Sequence, residues 1–313
     1  MKKIICVCGP TASGKTALGV QLALDLGGEV VSADSMQIYK YMDIGTAKPE
    51  KDEMCGVVHH MLDVVEPDRD YSVSLYAQAA IACIEDIHSR GKVPIVVGGT
   101  GLYYDAILKA DGYAPGPDEK LRQELEEFAQ TNGDEALFER LKREDPLAAE
   151  KLNVRDRKRV IRALEVMLTT GESIVIHNER SRVLTKRYDA LMMGLTFENR
   201  QALYDRIDKR VELMFEKGLK EEVETLLKNG LSQNCTAMQA IGYKEFAAYF
   251  EGHISLEEAA DKLRQQTRRY AKRQLTWFSA KPYVKWVEME KDGTLRPPDE
   301  ICTELIDRSK RGE

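Results

Sequence analysis

A chain of 313 residues has room for two modest domains, or for one core carrying an insertion. Its 43% hydrophobic and 31% charged content suits a soluble globular protein, and no apolar run reaches the roughly 18 residues of a membrane span. The net charge of −6 argues against a nucleic-acid partner only on average: from Lys262 to Lys285 there are eight basic residues and no acidic one, while 118–150 is rich in Asp and Glu. A local basic face binds polyanions whatever the total charge.

The opening MKKIICVCGP is too short for a signal peptide, and its apolar run predicts a buried strand ending at Gly9. Residues 9–16, GPTASGKT, fit the phosphate-loop pattern G-x-x-x-x-G-K-[ST]. After Lys15, leucines at 18, 22 and 26 have helical spacing, with Gly27 and Gly28 as the stop. The loop therefore lies between a strand and a helix, the context its chemistry requires. EVVSAD, ending at Asp34, and VPIVVG, ending at Gly98, predict two more strands. The stretch between them, SVSLYAQAAIACIEDIHSRG, predicts a helix with Ser72 or Ser74 near its start. Alternating strands and helices of these lengths imply a parallel sheet with crossover helices. In such sheets ligands bind beyond the carboxyl ends of the strands, so Gly9, Asp34 and Thr100 are expected to converge.

APGPDEK at 114–120 reads as a break. Beyond it, helices are expected at 118–130, 134–143, 146–152 and 156–169, the last stopped by Gly171. YDALMMGLTF, 188–197, reads as a strand returning to the sheet, followed by helical patterns over 199–229 and 255–279. The expected fold is α/β: a P-loop parallel sheet flanked by helices, with a mostly helical insertion domain. The core would take 1–115 and 188–313, and the insertion 116–187. The six cysteines are scattered without a C-x-x-C pair, which points to a reduced, cytoplasmic setting without a zinc site.

The loop of Gly9, Pro10, Thr11, Ala12, Ser13, Gly14, Lys15 and Thr16 offers backbone N–H groups and a helix N-terminus to phosphate oxygens. Lys15 would neutralise charge, and the Thr16 hydroxyl would hold Mg²⁺. Asp34 has two open readings, a cap or magnesium-shell carboxylate and a general base; its neighbours Ser35 and Gln37, able to read a substrate edge, favour the base. VVGGTGLYYDA has Gly-Gly-Thr where an acidic residue often ends a magnesium-binding strand. Its glycines permit close backbone approach, and Tyr103 and Tyr104 suit the core. Arg206 and Arg210 share a helix face, which alone reads as solvated. The basic run from Lys262 interleaves Tyr270, Trp277, Phe278, Tyr283 and Trp286. That mixture suits phosphate contact and base stacking, or a helix whose aromatics enter the core.

GPTASGKT, SADSMQIYKYMDIGTAKP, HHMLD, VVGGTGLY, KRVIRALEV, QAIGYKE and KRQLTWF together resemble the tRNA dimethylallyltransferases, also called tRNA isopentenyltransferases. The resemblance runs in order from about residue 3 to 287; 288–313 carries no motif. The zinc-finger ligand set of some eukaryotic members is absent, so the chain is similar to the bacterial form. The resemblance implies transfer of a dimethylallyl group from dimethylallyl diphosphate to N6 of an adenosine 3′ to the anticodon, by a monomer using Mg²⁺, with no membrane involved. Asp34 would then be the base, Thr100 an assisting hydroxyl and Arg210 a diphosphate contact. Asp34, Ser35, Met36 and Gln37 would meet the target nucleotide, which must flip out of its stack. Further tRNA contacts would come from Arg122; from Lys158, Arg159, Val160, Ile161 and Arg162; and from Gln239, Ala240, Ile241, Gly242, Tyr243 and Lys244. The last set is Lys272, Arg273, Gln274, Leu275, Thr276, Trp277, Phe278 and Ser279. Two rivals use the same loop: a small-molecule or nucleotide kinase binding ATP, and an RNA-binding switch without catalysis. The first leaves the basic aromatic helix idle, and the second gives Asp34 no task.

Overall fold

The structure is a computed structural model describing residues 1–109, 116, 118–180, 186–291 and 293–311. Residues 114, 115 and 117 of the break at 114–120, which include the boundary expected at 115, and Asp292, Gly312 and Glu313 of the tail lie outside the described residues. In chain order the first elements are β1 (Lys3–Cys8), α1 (Lys15–Leu26), β2 (Gly28–Ser32), α2 (Lys51–Met54), β3 (His59–His60), α3 (Val73–Ser89), β4 (Val93–Val97) and α4 (Gly101–Leu108). There follow α5 (Glu119–Glu144), α6 (Pro146–Ala149), α7 (Arg157–Thr170) and α8 (Ile174–Arg180). The chain then makes β5 (Asp189–Thr196), α9 (Arg200–Glu216), α10 (Leu219–Lys228), α11 (Tyr243–Phe250), α12 (Leu256–Ser279) and β6 (Val284–Glu288). A small hairpin of β7 (Glu290–Lys291) and β8 (Thr294–Leu295) precedes α13 (Pro298–Arg311).

The chain divides into two compact units. The larger comprises Met1–Tyr71, Tyr76–Asp105 and Tyr188–Glu313. Its sheet is parallel throughout, in the order β3-β2-β4-β1-β5-β6. Ile5 faces Ile95 on one side and Leu191 on the other, so β1 is central. Its near-continuous apolar sequence follows from burial on both faces. Gly14 (φ 91°) opens α1 and Gly27 (φ 62°) closes it, both left-handed. Gly28 does not help stop the helix; it is the first residue of β2, where a Cβ would lie 2.5 Å from the Val93 carbonyl oxygen. Val7, Leu18, Leu22, Val30, Ile95 and Leu195 form one core with Ile301 and Leu305 of the tail helix, an element carrying no recognisable motif. The helical pattern expected over 199–229 breaks at Gly218 (φ 94°) into α9 and α10.

The smaller unit comprises Ser72–Leu75 and Ala106–Arg187, and its regular structure from Glu119 to Arg180 is helical. The two helices expected at 118–130 and 134–143 are both present: the span labelled α5 is non-helical at Gly133 (φ 87°), which separates them. Leu125, Leu137 and Leu141 of α5 pack on Val160, Ile161 and Leu164 of α7. Burying such side chains stabilises by about 1.5–3 kcal/mol each before entropy is counted, which fixes the inner face of α7.

Candidate active site

The phosphate loop follows β1, and its shape is set by close approach. Gly9 has φ 139°, and a Cβ there would meet the Leu195 carbonyl oxygen at 2.9 Å. Ala12 takes φ 62°, a region L-residues seldom adopt. Two distant helices brace the loop. Arg206 on α9 donates through Nε to the Ala12 carbonyl at 2.7 Å. Gln274 on α12 accepts the Thr11 N–H at 2.8 Å and donates through Nε2 to the Gly99 carbonyl at 3.1 Å. A Cβ on Gly99 would sit 2.0 Å from that Nε2, so a larger residue there would displace the Gln274 brace. The Ser13 side chain is buried, and its Oγ has no hydrogen-bond partner among the described residues. Lys15 Nζ donates to the Pro10 carbonyl at 2.6 Å. Burial, then the nearby Arg210 guanidinium, lowers the Lys15 pKa from 10.5 to about 8 against the opposing pull of Asp34. Burial likewise lowers Arg210 from its ordinary value, with Asp34 again opposing.

Asp34 lies two residues past β2. Its Oδ1 accepts the N–H of Met36 at 2.9 Å and of Gln37 at 3.4 Å, so the capping role considered from sequence is present. The capping does not withdraw it from solvent-accessible space: Asp34 lines a cavity of about 340 Å³ together with Lys15, Thr16, Ser35 and Arg210. Thr100 follows β4; its Oγ1 accepts the Ser35 N–H at 3.1 Å, and its own N–H donates to the Ala33 carbonyl at 3.1 Å. At Gly98 a Cβ would stand 2.2 Å from that same carbonyl, so the glycines after β4 bring its end against the Asp34 segment. Tyr270 on α12 lines the cavity, with its hydroxyl against Thr100 and Gln274. Burial pushes its phenol well above the usual value, so it remains a neutral hydrogen-bonding group. Tyr103 and Tyr104 are core: Tyr104 donates to the Val7 carbonyl at 2.7 Å, and Tyr103 stacks on Tyr76 at 3.5 Å.

Several residues expected to touch tRNA are turned inward. Gln37 lines the cavity, and its amide donates to the carbonyls of Thr46 (3.3 Å) and Ala47 (3.1 Å) and accepts from Ser32 Oγ (3.0 Å), which ties it to the pocket wall. Val160 and Ile161 are core, while Lys158 and Arg159 are exposed; helical periodicity splits the segment. Arg122 and Arg162 both pair with buried Glu165, at 2.9 and 2.8 Å. Burial raises the Glu165 pKa, but those guanidiniums and the Asp118 N–H outweigh it and hold the carboxyl below its ordinary value. Tyr243 is buried, Gly242 (φ 101°) turns the chain into α11, and Ala240, Ile241 and Lys244 line the cavity beside exposed Gln239. On α12, Gln274 and Phe278 are buried and Leu275 packs beside Ala12 and Ile207, whereas Lys272, Arg273, Thr276, Trp277 and Ser279 are exposed.

Sequence reading passed over Glu222 on α10. Its carboxylate accepts the consecutive N–H groups of Asp43 (2.9 Å), Ile44 (2.8 Å) and Gly45 (3.2 Å), and the Tyr243 hydroxyl at 2.6 Å. Gly45 and Thr46 line one wall of the cavity and Ala240 another, so this residue ties two walls together. No periodicity or motif marks a carboxylate that acts nearly 180 positions away.

The chain is similar to known proteins along most of its length. Residues 37–281 match the family model described as IPP transferase, and residues 2–66 match one described as isopentenyl transferase. The tRNA dimethylallyltransferase of Thermoanaerobacter sp. (strain X514) is 49% identical over 286 residues, 91% of each chain. That of Carboxydothermus hydrogenoformans is 45% identical over 304 residues, 97% of each. The tRNA isopentenylpyrophosphate transferase of Bacillus halodurans superposes with a TM-score of 0.71 at 42% identity, covering 100% of this chain and 99% of that one. A eukaryotic dimethylallyltransferase acting on tRNA gives a TM-score of 0.81 at 30% identity, over 92% of this chain and 74% of that one.

Proposed function

This chain belongs to the IPP transferase family, the tRNA dimethylallyltransferases, and from that premise we propose how its residues carry the reaction. It is a prenyltransferase that moves the dimethylallyl group of dimethylallyl diphosphate onto N6 of an adenosine 3′ to the tRNA anticodon, releasing diphosphate. The observation that carries this reading is one cavity with an anion cradle, Lys15 and Thr16, and a carboxylate, Asp34, on its lining. A kinase could use the same cradle and a carboxylate base, but it would leave the exposed basic residues Lys272 and Arg273 of α12 idle.

The N6 lone pair attacks the allylic carbon as the carbon–oxygen bond breaks, and the bonding electrons leave with the diphosphate. Lys15, Arg210 and the loop N–H groups stabilise that growing charge. Asp34 takes the N6 proton, and Thr100 and Tyr270 supply hydroxyls beside it. Thr16 is the protein group placed to hold Mg²⁺, which when bound would neutralise diphosphate charge. The donor set suits that ion: Mg²⁺ keeps waters and phosphate oxygens and needs few protein ligands, and the Thr16 hydroxyl lines the cavity with Lys15 and Asp34. Among the described residues no helix is long and apolar enough to cross a membrane. In this reading the enzyme works as a monomer in the cytoplasm, with its tRNA substrate.

Incubating the protein with tRNA and either dimethylallyl diphosphate or ATP, then analysing tRNA nucleosides by mass spectrometry, tests the assignment. Dimethylallylated adenosine formed only with the prenyl donor is expected; phosphate transfer from ATP without prenylation would overturn it.

The depressed Lys15 pKa sets a pH dependence. In the unliganded fold the charged ammonium is disfavoured, so its cost to stability is full below about pH 8 and fades as pH rises from about 8 toward 10.5. A bound diphosphate restores the charged form. Affinity for dimethylallyl diphosphate is therefore expected to fall above about pH 8, by at most tenfold per unit, with binding taking up a proton. Titration calorimetry above that pH, in two buffers of different ionisation enthalpy, reads the proton directly. Binding without proton uptake would show that Lys15 is already charged.

A further inference from the structure

The resemblance places Gln274 among the tRNA contacts, yet it is 4% exposed and its amide is committed inside the protein. β1 and β4 are neighbours in the sheet, and the Gly98 N–H donates to the Val7 carbonyl at 3.1 Å to join their carboxyl ends. Beyond that bond the chain leaves as two glycine-bearing loops, one the anion cradle and the other carrying Thr100. The Gln274 amide bridges them. Its oxygen accepts the Thr11 N–H of the cradle at 2.8 Å, and its nitrogen donates to the Gly99 carbonyl at 3.1 Å. The loops run close together here, since a Cβ on Gly99 would stand 3.6 Å from the Gly9 carbonyl oxygen. Tyr270, one turn earlier on α12, has its hydroxyl against both Gln274 and Thr100. The helix that carries the amide is firmly seated: Ala271 and Phe278 are buried, and the Phe278 ring meets Tyr104 edge-on at 5.7 Å.

We propose that Gln274 is a positioning residue: it locks the diphosphate loop to the Gly99–Thr100 segment, so that a donor seated on the loop meets the Thr100 and Tyr270 hydroxyls in register with Asp34. The proposal rests on the prenyltransferase reading and adds how the two halves of its site are held together. The reaction joins a carbon of the donor held at the loop to a nitrogen held at Asp34 and Thr100. An error in the spacing of the two segments therefore falls directly on the forming bond. Glutamine suits the place because one uncharged side chain supplies both an acceptor and a donor. An ionised glutamate would offer the Gly99 carbonyl no donor and would set a negative charge behind an anion site. Leucine would leave the Thr11 N–H and the Gly99 carbonyl without this partner. With both ends of its amide bound to backbone, Gln274 acts on the substrates through the loops it joins.

The test uses Gln274→Leu, which keeps the bulk and removes both bonds, with an unmodified anticodon stem-loop RNA as acceptor. Single-turnover prenylation at saturating dimethylallyl diphosphate and RNA is expected to slow by roughly 10- to 100-fold, the cost of a misplacement of about 1 Å. RNA affinity should stay near wild type, which separates positioning from a tRNA contact. The slowing should persist well below the melting temperature of the variant, which separates it from lost stability. Gly99→Ala attacks the same bridge from its other end, where the Cβ would stand 2.0 Å from Gln274 Nε2, and decides the matter if Gln274→Leu does not fold. Because the two changes break one bridge, the double variant Gly99→Ala/Gln274→Ala should react no more slowly than the slower of its two single variants. A normal saturated rate in Gln274→Leu, a loss of RNA affinity matching the loss of rate, or slowings that multiply in the double variant would overturn the proposal. A wild-type chain that forms no dimethylallylated nucleoside on this RNA refutes instead the reading on which it rests.

Discussion

Asp34→Asn is expected to lower turnover by roughly 10²- to 10⁴-fold, the contribution of a positioned general base. The substitution separates two roles that coexist in this side chain. Asparagine keeps a side-chain oxygen able to accept the Met36 and Gln37 N–H groups that Asp34 Oδ1 accepts now. The turn after β2 therefore survives, although loss of the charge that favours the buried Lys15 and Arg210 cations is expected to lower stability. What disappears is the ability to accept a proton. Single-turnover prenylation with saturating tRNA and dimethylallyl diphosphate measures the loss free of binding effects. Near-normal turnover in this variant would reduce Asp34 to a cap and leave N6 deprotonation to another group.

Glu222→Ala is expected to cost about 2–4 kcal/mol of stability, since hydrogen bonds to a charged group count for more than neutral ones. The carboxylate satisfies three consecutive backbone donors and a buried phenol. Without it the Asp43–Gly45 turn loses its acceptor, and Tyr243, whose ring would collide with any Cβ on Gly45, loses its anchor. Glu222→Gln should fall between, because its amide NH₂ turns one acceptor oxygen into a donor facing donors. Urea unfolding reads the stability. KM for tRNA should rise in both variants, since two walls of the pocket are released together, while affinity for dimethylallyl diphosphate at the loop should change little. Wild-type stability in Glu222→Ala would show that water replaces the carboxylate without penalty.

What could be read from sequence was what is local. GPTASGKT between a strand and a helix announces an anion site, because loop geometry and helix N-terminus are set by neighbours in the chain. The strands β1, β2 and β4 announced themselves as short β-branched runs, and β5 as a short apolar run without them. The edge strand β3, of two residues, carries no such signal, and β6, with Val284, Trp286 and Val287, was passed over behind the basic helix it follows. Within contact segments the reading could not sort sides. Val160 beside Arg159, and Phe278 beside Trp277, differ by one helical step, which separates core from solvent. Gln37 looked free because its partners Thr46 and Ala47 sit in a loop whose path depends on Glu222. Braces such as Gln274 to Thr11 span more than two hundred residues, and no window along the chain contains both ends.

The strand order has a consequence for how the protein is made. β1 lies between β4 and β5, and Ile5 pairs with Ile95 and Leu191. During synthesis the central strand therefore has one neighbour when Val97 emerges and lacks the other until Asp189–Thr196 follow. At about 5–20 residues per second, roughly 5–20 s pass between those points. The helices of 119–180 emerge in that interval, and α5 and α7 can close their own contacts without waiting for the sheet. β6 and then, past the small hairpin, α13 over Leu18 and Leu22 are made after all the other described elements. A ribosome stalled before Val284 thus carries a sheet with an open β5 edge and an uncovered α1, a nascent chain that presents unpaired strand groups and apolar surface to chaperones.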